Sequence, residues 1–136
     1  MERFFASDFT EFHFKKVRRD MTLIDIDAVQ FREMEDGTER IRLIEYKHSN
    51  EKSGSQQWKL LKRFKLYIKA LDEIATKTTF ELYMIKADFV QDEYYRYNLK
   101  GMARVYNFVD DSTKLLKESD LINFLNFTTE WEDFND

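Results

Sequence analysis

A chain of 136 residues, 43% hydrophobic and 16% aromatic, is long enough for one packed core and too apolar for a disordered segment. The absence of cysteine excludes disulfides, thiolate zinc sites and cysteine nucleophiles, and suits a reducing, cytoplasmic setting. The formal net charge of −4 is uneven, since all 22 basic residues precede Glu118 while six of the 26 acids lie from Glu118 onward, so the acidic total does not exclude a polyanionic partner.

No apolar run approaches the length of a membrane span, and the opening MERFFASDFTEF mixes acids with short apolar pairs, unlike a secretory signal. A short aromatic, helix-compatible segment covers about residues 2–17. Residues 21–32 (MTLIDIDAVQFR) are rich in Ile, Leu and Val and predict a strand. Asp36-Gly37 then marks a hairpin, and residues 39–49 (ERIRLIEYKHS) predict the returning strand. Beyond the polar loop NEKSGS, the stripe Gln57, Leu61, Phe64, Ile68, Leu71, Ala75 steps by four and three, the inward face of a helix over about 56–75. Residues 79–87 and 103–109 predict two further strands, and residues near 119–127 a last helix. The order α-β-β-α-β-β-α predicts a mixed α/β (α+β) fold, a mixed central sheet flanked by helices. A single domain is expected, with its core over about residues 10–90, a C-terminal strand and helix over 100–127 and an acidic tail over 128–136.

The second strand interrupts its own apolar pattern. Ile41, Leu43, Glu45 and Lys47 alternate onto one face, so an acid and an amine follow two residues that call for burial. Buried charge is costly unless it is paired or bound to metal. In the first strand Asp25 and Asp27 share a face with Leu23 and Val29. Carboxylates and one ammonium therefore converge, the set that hydrolysis of a phosphodiester with a hard cation requires. Mg²⁺ (or Mn²⁺) keeps several waters and needs few protein oxygens. Asp27, Glu45 and the backbone carbonyl of Tyr46 are the expected ligands, Lys47 the group that orients water or offsets developing charge. Gln57, in the first inward turn of the long helix, completes the candidate catalytic set.

Asp27-Ala28-Val29 in a strand, then Leu43-Ile44-Glu45-Tyr46-Lys47, then a helix opening with Gln56-Gln57-Trp58, resembles the PD-(D/E)xK nuclease superfamily over about residues 10–90. The resemblance implies a restriction-endonuclease-like core, a Mg²⁺- or Mn²⁺-dependent endonuclease activity on DNA, and kinship with Holliday-junction resolvases. The Gln56-Gln57-Trp58 opening is also similar to the VRR-NUC branch, which implies branched or flapped DNA. Ile26 stands where the family's name has proline. Asp25 is the alternative metal carboxylate, and Glu11 is the candidate for the family's N-terminal helical acid.

Register decides whether Asp27 joins the other two. A two-residue loop at Asp36-Gly37 sets Asp27 against Tyr46, on the wrong face. A three-residue loop with a glycine bulge is expected instead, placing Asp27 across from Lys47 and diagonal to Glu45. Lys15, Lys16, Lys59, Lys62 and Arg63 are the candidate DNA-binding cations. Trp58, Phe64 and Tyr67 read as core, while Tyr94-Tyr95-Arg96-Tyr97 reads either as a base-stacking cluster or as a surface strand or dimer contact. His48 suggests a general base, but it falls on the face opposite Lys47 and reads rather as a structural or solvated histidine. One site cuts one strand, so a homodimer is expected. The competing reading is a catalytically silent module that binds nucleic acid or protein, with Trp131 and Phe134 of the acidic tail docking a partner.

Overall fold

The structure, a computed structural model, describes residues 27–52 and 55–135, together with Phe12, Lys15 and Lys16 in helical conformation. Strands β1 (Ala28–Glu33), β2 (Glu39–Lys47), β3 (Thr78–Gln91), β4 (Tyr97–Asn107) and β5 (Ser112–Leu116) form one sheet in sequential order. Helix α1 (Ser55–Ile74) joins β2 to β3, and α2 (Glu118–Leu125) follows β5, with a 3-10 turn at Trp131–Asp133 beyond it. β2 and β3 run parallel while the other neighbours are antiparallel. A parallel pair requires a long crossover, and α1 supplies it.

Strand alternation sorts the apolar residues onto two faces. On one face Leu82, Met84 and Phe108, with Leu43, pack under Leu61 and Ile68 of α1. On the other, Ile44, Tyr83, Ile85 and Val105 pack against Leu121 and Phe124 of α2 and against Trp131 and Phe134. The architecture is thus a mixed sheet with a helix on each face. Among the described residues no helix is long and apolar enough to cross a membrane.

Several expectations need correction. Tyr67 is exposed, since one residue along a helix turns it about 100° away from the buried Ile68, and Leu71 is exposed beyond it, whereas Trp58 and Phe64 pack on the core as expected. Trp131 and Phe134 are buried in the chain's own core, so the acidic tail is a folded element and not a free docking segment. The strand expected at 79–87 continues to Gln91, the one expected at 103–109 starts at Tyr97, and β5 was not anticipated. Of the strand expected over 21–32, residues 21–26 lie outside the described residues.

The β1–β2 turn is the three-residue loop Glu35-Asp36-Gly37. Met34 N–H donates to Thr38 O at 2.7 Å and Gly37 N–H to Met34 O at 3.0 Å. Gly37 takes φ +84°, and Asp36 Oδ1 accepts from both Thr38 N–H (2.9 Å) and Thr38 Oγ1 (2.6 Å). The left-handed residue must close such a loop, so the loop ends at Gly37 and not one residue later. The pairing Ala28↔Ile44 follows.

The β3–β4 turn repeats this pattern, with Asp92 N–H donating to Arg96 O and Tyr95 N–H to Asp92 O. Here a tyrosine takes the left-handed position, at φ 62° and 82% exposed. A bulky residue in that region costs about 1 kcal/mol. Tyr95→Gly is therefore expected to raise the melting temperature by a few degrees, measured by thermal unfolding monitored by circular dichroism. An unchanged or lower melting temperature would show that the tyrosine ring offsets its own backbone strain. The tip residues Tyr94, Tyr95 and Tyr97 are all exposed on this ribbon.

Candidate active site at the end of the central strands

β2 lies between β1 and β3, and its last residues carry the candidate chemistry. Continuing the β1–β2 register by one residue sets Asp27 opposite Glu45, with Lys47 on the diagonal. The expected pairing of Asp27 with Lys47 is thus corrected by two positions, because the loop closes at Gly37. Parity is unaffected: opposed residues share a face, so Asp27, Glu45 and Lys47 all stand on the α1 side.

Glu45 is 4% exposed. Its Oε1 accepts from Gln57 Nε2 at 3.0 Å and lies 3.6 Å from Lys47 Nζ. Lys47 Nζ is also 3.4 Å from Glu51 Oε2. Glu45 Oε2 is buried and, among the described residues, accepts from no donor. Asp27 comes from the exposed end of the first strand, and its Oδ2 accepts the Tyr46 N–H at 2.7 Å. That bond fixes the Asp27 carboxylate beside Glu45. The sequence-predicted Asp27, Glu45, Lys47 and Gln57 are therefore brought together, around the backbone of Tyr46.

Burial, and then the negative charge of Asp27, raise the Glu45 carboxyl to about 7, against the opposing pull of Lys47 and the Gln57 hydrogen bond. Folding thus strengthens proton binding at Glu45. The associated stability is fully present below about pH 4.5, the unfolded value, and is lost as pH rises through about 7. In chelator, thermal unfolding of the wild-type protein should show a fall in melting temperature between about pH 5 and 8. Glu45→Gln should flatten that segment, gaining on the order of 1–2 kcal/mol at pH 8 once solvent screening at the open side is allowed for. Parallel pH profiles for the two proteins would contradict the buried-carboxylate reading.

The other candidates are placed differently. Lys59, Lys62 and Arg63 lie exposed on α1, with Lys62 Nζ 5.5 Å from the centre of the Trp58 ring. Lys15 and Lys16 are exposed and helical. Asp25 and Glu11 fall outside the described residues. His48 is exposed, on the opposite side from Lys47, with Nδ1 3.7 Å from Asp88 Oδ1. Ser49 N–H (3.1 Å) and Ser49 Oγ both donate to Asp88, which keeps the Asp88 carboxyl below its ordinary range. No local pattern marks this Ser49–Asp88 clasp, since its partners lie 39 residues apart in the chain. Ser49 bonds the acid and not His48, so no nucleophilic relay forms.

Among the described residues, surface cavities are found apart from the trio. One of about 460 Å³ is bordered by Arg40, Glu81 and Glu130, and one of about 490 Å³ is lined by Tyr46, His48, Phe89 and Tyr97. Among the described residues no group of three or more His, Asp or Glu side chains could surround a metal ion. Among the described residues, a cation at the trio would find the Asp27 and Glu45 carboxylates and the Tyr46 carbonyl. Comparison with protein-family models, curated proteins and solved structures finds no match for this chain.

Proposed function

We propose that the chain is a Mg²⁺- or Mn²⁺-dependent DNA endonuclease of the PD-(D/E)xK type. The observation that carries this reading is the buried Glu45 Oε2, which lacks a donor and faces a second carboxylate. Two carboxylates held together, one of them buried, call for a proton or a cation between them. The donor set is all oxygen and sparse, which fits Mg²⁺ better than Zn²⁺. Asp27, Glu45 and the Tyr46 carbonyl would hold the ion, which supplies Lewis acidity toward a phosphodiester.

The chain's own groups have separable tasks. Gln57 positions Glu45 through the 3.0 Å hydrogen bond, keeping one carboxylate oxygen occupied and the other free. Lys47 is held between Glu45 and Glu51, so its ammonium stays on the site face. There it would orient the attacking water and offset charge that builds on the phosphoryl oxygens. The site lies at the end of β2, beside the first turns of α1. Branched or flapped DNA is the preferred substrate class, and two-strand cutting would require a homodimer.

The test is incubation of purified protein with supercoiled plasmid and with a four-way junction, with Mg²⁺, with Mn²⁺ and with chelator. Cleavage dependent on the ion is the expected result. Intact DNA under every condition would leave the silent-module reading in its place.

A further inference from the structure

The sheet register sets three cations in one row. Lys47 of β2 is opposite Lys86 of β3, and Lys86 is opposite Arg104 of β4. Opposed residues share a face, so the row lies on the α1 side, one step beyond the row Glu45–Met84–Tyr106. Trp58, in the first turns of α1, packs on Tyr106 and Phe108, with ring centres 5.1 Å apart in each case. The helix thus covers the Tyr106 row, and the cation row continues past it. Lys47 has Glu45 and Glu51 nearby, but among the described residues no carboxylate pairs with Lys86 or Arg104.

Like charges directly opposite on neighbouring strands destabilise a sheet. Nothing in the core demands them here, because Arg104 is exposed and Lys86 half-buried. An anion lying across the strands would offset the repulsion. The row spans two interstrand steps, roughly 10 Å, and begins at Lys47, inside the candidate site.

We propose that Lys86 and Arg104 bind backbone phosphates of the DNA strand next to the one cut, so that this strand crosses the sheet from β2 towards β4. The proposal rests on the nuclease reading for its choice of polyanion. It differs from the expectation that Lys59, Lys62 and Arg63 supply these contacts.

The test compares the wild-type full chain with Lys86→Gln/Arg104→Gln. Binding to a fluorescent duplex is measured in chelator over a range of salt, and cleavage is measured separately with Mg²⁺. Two lost phosphate contacts should reduce the slope of log K against log salt by about 2. Affinity at low salt should fall about tenfold or more, while kcat at saturating DNA stays close to wild type. Because the substitutions relieve repulsion, the variant should unfold at the same or a higher temperature. Unchanged affinity and slope, or no DNA binding by the wild type, would overturn the proposal. Wild-type cleavage with an unchanged slope would overturn it while leaving the nuclease reading intact. A reduced slope without any cleavage would support the phosphate row and remove the enzyme.

Discussion

Lys47→Ala is expected to lower metal-dependent DNA cleavage by at least about 100-fold, the usual cost of removing one group that stabilises developing charge. The effect should fall on kcat, with DNA affinity in chelator reduced only modestly. Lys47 Nζ stands 3.6 Å from Glu45 Oε1 and 3.4 Å from Glu51 Oε2 and is only partly exposed. Its removal deletes a cation beside the carboxylate pair, a change that also pushes the Glu45 carboxyl further up. Asp27→Ala should be equally damaging through loss of a cation ligand. It should also abolish any rise in melting temperature on adding Mn²⁺, which Lys47→Ala should preserve. Cleavage undiminished in both variants would mean that the activity belongs to a contaminant.

The second large effect is on stability. Arg42 is 1% exposed, with its guanidinium 4.1 Å from the Phe124 ring centre and 4.0 Å from that of Phe127. Its Nη1 donates to Phe124 O at 2.6 Å, and Nη2 reaches Glu81 Oε1 at 3.5 Å. Phe127 itself takes φ 59°, ending α2 in the left-handed conformation usual for glycine. Thr128 N–H to Asn123 O and Phe127 N–H to Phe124 O complete that helix stop. The arginine stack thus anchors both the strained residue and the end of the helix. Arg42→Ala opens a cavity, strips the Phe124 carbonyl of a donor and leaves Glu81 with less positive charge. A loss of about 3–5 kcal/mol follows from comparable truncations, or roughly 10 °C or more in melting temperature. Arg32→Ala, which removes an exposed donor to Asn126 O, should cost much less and serves as the control. Similar losses in the two variants would show that the stack contributes little.

Local periodicity explains what the sequence made legible. Glu45 and Lys47 share a face through alternation alone, and Gln57, Leu61, Phe64 and Ile68 point inward through helical spacing. The glycine loop was legible because Asp-Gly has a specific backbone requirement, although its end was misjudged by one residue. Buried Arg42 and Lys114 were not legible. Their partners are backbone carbonyls far along the chain: Phe124 O for Arg42, and Trp131 O and Phe134 O for Lys114. A charged side chain in a strand reads as solvated until such carbonyls are placed. The row Lys47–Lys86–Arg104 was hidden for the same reason, since it exists only across three strands.

The bond from the Tyr46 amide to Asp27 Oδ2 has a dynamic consequence. Among the described residues β1 is an edge strand with one neighbour, whereas Glu45 is anchored in β2 between two. Half of the carboxylate pair therefore belongs to a segment that can fray without global unfolding. Amide hydrogen exchange at Tyr46 becomes a direct reporter of how often the pair comes apart. Its protection should fall well below that of Ile44, and a bound divalent ion should slow its exchange by tying the frayed end to the interior.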